Sequence, residues 1–177
     1  MYVKLRWALD MATGSDCGAA SRCDRKALLI RFIEEVWNRG DLDAAGGYVA
    51  ARYSVRHDPG DPWDGRDLDL DEYKQRVRLA RASCPDQRFE LLAVVADDAA
   101  GTVVATWQWV GTHTGALSGF PPTGRPLRMT GATVYSFDSD NRITGHWQVI
   151  DRLGVFQQLR LNAETLAAPP EPRKVSP

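Results

Sequence analysis

Pro85 separates two stretches of different hydrophobic periodicity, and that separation limits the architecture open to this chain more than any other feature. Before it, apolar residues recur at helical spacing. Leu28, Leu29, Phe32, Ile33, Val36 and Trp37 form a stripe among charges from Arg25 to Asn38, which predicts an amphipathic helix. Gly40 and Asp41 supply a stop and a new cap for a shorter helix over Leu42–Val49, weakened by Gly46 and Gly47. Tyr53–Gly65, with Pro59, Gly60, Pro62 and Gly65, reads as turns and loop, and Leu70–Ser83 as a third helix that Pro85 ends. After Pro85 the period shortens to two. Strands are expected at Arg88–Ala96, Thr102–Thr112, Arg125–Asp138 and Arg142–Ile150, with turns at Asp97-Asp98, Gly115–Gly124 and Asp138–Asn141. Helices first and sheet afterwards predict an α+β fold, in which N-terminal helices pack on a curved antiparallel sheet and a cavity lies between the two layers.

The 177 residues suffice for one domain with a sizeable core. Lys plus Arg number 22 and Asp plus Glu 23, a formal charge of -1 that gives no field to draw nucleic acid or an anionic membrane. Cys17, Cys23 and Cys84 are an odd set without CxxC spacing, which argues against a disulfide framework and for a reducing, cytoplasmic setting. Asp10 interrupts the N-terminal apolar run before signal-peptide length, and no stretch approaches the roughly twenty apolar residues that a membrane-crossing helix needs. Residues 1–24 are expected to be a flexible extension, 25–160 the domain, and 161–177, rich in proline, a loose tail.

The candidate chemistry lies in NRITGHWQVIDRLGVFQQL, Asn141 to Leu159. Strand alternation puts Ile143, Trp147, Val149 and Asp151 on one face, taken as the inner one, and His146 with Gln148 on the other. An acid on an apolar inner face is a candidate proton-transfer group, because burial raises a carboxyl pKa toward the useful range. Asp151 also directly precedes a helical run, where Asp is a preferred N-cap, so cap and catalyst both stand as roles. In the second strand Val103, Ala105, Trp107, Trp109 and His113 share a face, and the two indoles serve either as core or as the wall of a binding cavity. His57, in the HDP loop, either covers a cavity mouth or bonds a turn. The histidines show no HxH or HExxH spacing, so no metal is expected, and GFPPTG is too proline-rich to cradle a phosphate.

Several separated segments together resemble the SnoaL-like polyketide or ester cyclases: WNRGD at Trp37–Asp41, HDP at His57–Pro59, CPD at Cys84–Asp86, GTHTG at Gly111–Gly115, GFPPTGR at Gly119–Arg125 and HWQVIDRLGVFQQL at His146–Leu159. The resemblance runs in order from about Arg25 to Leu159. It implies the nuclear transport factor-like cone and a cofactor-free intramolecular aldol cyclisation, with Asp151 at the position of the family's acid/base aspartate. In that chemistry the acid removes a proton from a carbon between two carbonyls, and a nearby donor, here His113, assists at the oxygen that gains charge. Trp107, Trp109, Trp147 and His57 are then the expected contacts of a hydrophobic carbonyl substrate. Isomerase, dehydratase or hydroxylase chemistry on the same scaffold, or a non-catalytic binding or dimerisation module, are the alternatives. Val104, Val110 and Ile150 on an uncovered outer sheet face, together with the resemblance, point to a homodimer.

Overall fold

The computed structural model describes residues 24–167. Helix α1 (Arg25–Phe32) begins at Asp24, whose carboxylate accepts from the backbone N–H groups of Lys26 and Ala27 at 3.0 and 3.2 Å. Its predicted C-terminal part winds instead as a π-helical segment, Ile33–Asn38, so the apolar stripe continues with more residues per turn. The helix expected over Leu42–Val49 shrinks to a single 3-10 turn, Ala44–Gly47; two adjacent glycines hold helix poorly. Strand β1 (Val49–His57) takes in Tyr53–His57, the start of the stretch expected to be loop, and a two-residue strand β2 (Asp67–Leu68) pairs with it. Helix α2 (Leu70–Ala82) starts in a reciprocal capping box between Asp69 and Glu72.

Strands β3 (Arg88–Asp97), β4 (Thr102–Thr112), β5 (Pro126–Phe137) and β6 (Ile143–Ile150) follow close to their expected bounds. Helix α3 (Arg152–Ala167) closes the described chain and includes residues 161–167 of the stretch expected to be a loose tail. The extension before Asp24 and the tail after Ala167 lie outside the described residues, as do Cys17 and Cys23. Cys84 is a buried free thiol whose pKa burial pushes up to about 11.

The six strands form one sheet in the order β2-β1-β6-β5-β4-β3, antiparallel except for the parallel pair β1 and β6. That parallel pair comes from β1, the strand hidden in the proline-rich stretch. The main core joins α1, α2 and the sheet through Leu29, Phe32, Val36, Tyr53, Tyr73 and Val103, all buried. A second cluster of Cys84, Trp107, Trp109, Leu127 and Leu159 ties the middle of α3 to the sheet. Among the described residues no helix is long and apolar enough to cross a membrane.

Two irregularities decide what faces inward. The pairing of β5 with β6 runs in step from Gly131 and Ile150 to Ser136 and Gly145, then jumps to Phe137 and Ile143, which leaves Thr144 as an extra residue. A one-residue bulge exchanges the two faces of everything beyond it. Ile143 is therefore buried as expected, while His146 and Gln148 turn inward and Trp147, Val149 and Asp151 turn outward, opposite to simple alternation. Ile150, expected outside, lines the interior cavity. The β1 and β6 register shifts again between Val55 and His57, leaving His57 outside and Asp58 inside.

Candidate active site

A cavity of about 920 Å³ opens between the sheet and the helices, large enough for a drug-sized organic ligand. Strand β4 contributes Trp107 and Trp109, α3 contributes Leu153, Val155, Phe156 and Leu159, and Phe89, Met129 and Ile150 complete an apolar wall. Both indole N–H groups are spent within the protein: Trp107 Nε1 donates to Thr133 Oγ1 at 2.9 Å and Trp109 Nε1 to Gln87 Oε1 at 3.1 Å. The tryptophans thus present ring faces and edges to the cavity and keep no free donor there.

The polar side of the cavity is built on Asp58, 1% exposed at the end of β1. Its Oδ2 accepts from Arg76 on α2 at 2.9 Å and from the Gln148 amide, and its Oδ1 accepts from Arg152, the first residue of α3, at 2.6 Å. Arg76 also donates to Asp61 through Nε at 3.1 Å and a terminal nitrogen at 2.8 Å, and stacks over the Trp37 ring at 5.5 Å. Burial works against the charge on Asp58, but the His146 imidazole and the Arg76 and Arg152 guanidinium groups outweigh it and hold the carboxyl well below the usual carboxylate range. Two cations and two carboxylates therefore balance around the buried Asp58 and Arg76, with Arg152 reaching in from the exposed side, the condition under which such charges are tolerated.

Next to this cluster lies His146. Its Nδ1 is 2.7 Å from the Tyr53 hydroxyl, and its Nε2 sits 3.7 Å from Asp58 Oδ2, beyond hydrogen-bond length, so Nε2 is a buried polar atom without a partner among the described residues. Burial is the largest influence on this imidazole and lowers its pKa, with Asp58 pulling the other way. Burial likewise keeps the Tyr53 phenol protonated and pushes that of Tyr135 up to about 12. His146 is the one histidine lining the cavity, and histidine alone among these side-chain types ordinarily titrates near neutral pH.

The residues singled out from sequence divide sharply. Trp107 and Trp109 line the cavity. Asp151 does not: it is exposed, and its Oδ1 accepts from the Gly154 backbone N–H at 2.8 Å, the geometry of an N-cap on α3. Trp147 is 42% exposed and stacks on His57 with ring centroids 4.9 Å apart and planes 13° from parallel, on the outer side of the sheet. His113 is fully buried outside the cavity lining, with Nδ1 3.1 Å from Thr123 Oγ1, where it anchors the loop between β4 and β5. Tyr53, Asp58, Arg76, His146, Gln148 and Arg152 were passed over. Two signals for them exist: Arg76 shares a helical face with the core residues Tyr73 and Val77, and Gly145 inside a strand is a common mark of a bulge. Among the described residues no group of three or more His, Cys, Asp or Glu is placed to hold a metal ion.

A family model described as SnoaL-like polyketide cyclase matches residues 27–159. This chain belongs to that family. A crystal structure of a candidate polyketide cyclase from Acidithiobacillus ferrooxidans is 49% identical, with a TM-score of 0.74 over 81% of this chain and 99% of that one. At the level of fold alone, the SnoaL-like scaffold is shared with IdmH, a candidate polyketide cyclase from Streptomyces antibioticus, at 23% identity and a TM-score of 0.64 over 78% of this chain and 99% of that one. AclR, a candidate hydroxylase from Streptomyces galilaeus, aligns at 20% identity and a TM-score of 0.63 over 85% of each chain. No curated protein matches the chain. The SnoaL-like match covers both the tryptophan wall and the cluster around Asp58.

Proposed function

We propose that this SnoaL-like protein catalyses proton transfer of the cyclising, aldol kind on a hydrophobic carbonyl compound held in the cavity, with His146 as the proton-transfer group. Support comes chiefly from one observation: a buried imidazole, its pKa lowered by burial, with one nitrogen unpartnered 3.7 Å from the Asp58 carboxylate where the polar side of the cavity meets its apolar wall. In the working tautomer the ring proton is on Nδ1 and is donated to Tyr53 Oη, whose own proton is then free for a substrate oxygen. Nε2 keeps its lone pair and takes the proton from a carbon between two carbonyls. The imidazolium so formed is stabilised by Asp58, and the enolate by the Tyr53 hydroxyl and the Arg152 guanidinium. Attack of the enolate carbon on a second carbonyl forms the ring bond, and His146 returns its proton to the new alkoxide. No electron acceptor enters these steps.

The function is tested with ethyl benzoylacetate, an apolar β-keto ester, by following exchange of its α-protons for deuterium by NMR. Acceleration by the native protein well above buffer is expected. Saturable binding of the ester without acceleration would contradict catalysis and leave the cavity a binding site. We also propose that two copies pair through the outer sheet face, where Val104, Val149 and Trp147 are exposed.

A further inference from the structure

A directional chain of buried hydrogen bonds reaches Asp58 from the far side of the cavity wall. It runs from Trp107 Nε1 to Thr133 Oγ1 at 2.9 Å, from that hydroxyl to Gln148 Oε1 at 3.0 Å, and from Gln148 Nε2 to Asp58 Oδ2. Its direction is forced at both ends. An indole N–H can only donate and an ionised carboxylate can only accept. The Thr133 hydroxyl, having accepted from Trp107, directs its single proton to the amide oxygen of Gln148. The amide therefore turns its NH₂ toward Asp58 and cannot flip without placing oxygen against carboxylate and nitrogen against a donating hydroxyl. Thr133 is 1% and Gln148 9% exposed, so both links of the chain are buried.

We propose that Gln148 is a positioning residue for the proton-transfer site: anchored through Thr133 to Trp107, it holds the Asp58 carboxylate in one orientation and draws charge from Oδ2, the oxygen that faces His146. This rests on His146 and Asp58 being the reacting pair, yet its geometry is independent of any substrate. The remaining charged or titratable groups around His146 are Tyr53 on β1, Tyr135 on β5, Arg76 on α2 and Asp61 in the loop after β1, with Arg152 of α3 acting on it through Asp58. Of these only Tyr135 also meets the Thr133 side chain, so Gln148→Met cuts the chain without disturbing their contacts, and Thr133→Ser keeps the hydroxyl that Tyr135 meets. Removing the Gln148 donor concentrates negative charge on Oδ2 and favours the imidazolium. Cutting the chain at Thr133 frees the amide to turn and has the same sign with smaller size.

The test is the titration of His146 followed by NMR of its ring protons in the full-length protein, in Gln148→Met, Thr133→Val and Thr133→Ser variants. The expected result is a midpoint raised by roughly half a pH unit or more in Gln148→Met, a shift well resolved beside the pKa changes that single charges produce in proteins. A smaller rise is expected in Thr133→Val, and the native midpoint in Thr133→Ser, which keeps the hydroxyl. Unchanged midpoints in Gln148→Met and Thr133→Val, or equal shifts in the Val and Ser variants, would overturn the proposal. Should Gln148→Met not fold, the Thr133 pair decides alone. Because this readout needs no turnover, it is separate from the exchange assay, which bears on catalysis itself.

Discussion

At the scale of single residues, the acid with most apparent chemical promise and the acid in the cavity differ. Asp151 completes a helix terminus, and an exposed N-cap contributes about 1 kcal/mol. Asp151→Ala is therefore expected to lower the urea-unfolding free energy by about that amount. Asp58 is buried among Arg76, Arg152, Gln148 and His146, and its loss has a different signature, visible in pH. Its folded pKa is depressed, so its contribution is present above the ordinary carboxylate value and is lost as pH falls below it. His146 also has a depressed folded pKa; the unfolded chain takes up that proton first, so stability begins to fall as pH drops below about 6.5. Thermal denaturation from pH 7 to pH 3 should show the His146 loss first and the Asp58 loss at lower pH. A His146→Gln variant should lack the first of the two.

At the scale of elements, the bulge in β6 controls the site. Gly145 lies where a Cβ would come within 2.3 Å of the Ser54 carbonyl oxygen on β1, so the close approach of the two strands at the bulge admits no side chain. Gly145→Ala is expected to cost about 2 kcal/mol, the scale of an overpacked site. It should also disturb the signals of His146 and Gln148 just beyond it, which equilibrium unfolding and NMR together would report. The same bulge explains what the sequence could and could not disclose. Strands β3, β4, β5 and β6 were legible because period-two patterns and turn residues agree locally. The inward face of β4, with Trp107 and Trp109, was legible because that strand pairs without interruption with β5. The inner face of β6 was not, because one extra residue inverts every side chain after it while leaving the local pattern intact. Strand β1 was hidden by the prolines and glycines that follow it, and with it Tyr53 and the route to Asp58.

At the scale of the whole molecule, helices cover one face of the sheet and leave the other to solvent, with Val95, Val104, Trp147 and Val149 exposed on the strands. The proposed pairing of two copies predicts a dimeric mass in sedimentation velocity, shifted to the monomer by Val104→Arg. On the covered face, the arrangement joins an apolar cavity to a charge-balanced cluster with one neutral imidazole, and the central claim is that His146 moves the proton. Deuterium exchange of ethyl benzoylacetate measures this most directly when His146→Gln is compared with Asp151→Asn. A loss of about a hundredfold is expected in His146→Gln, the lower end of what a positioned acid or base contributes, with near-native exchange in Asp151→Asn. Native exchange in His146→Gln together with its loss in Asp151→Asn would contradict that claim.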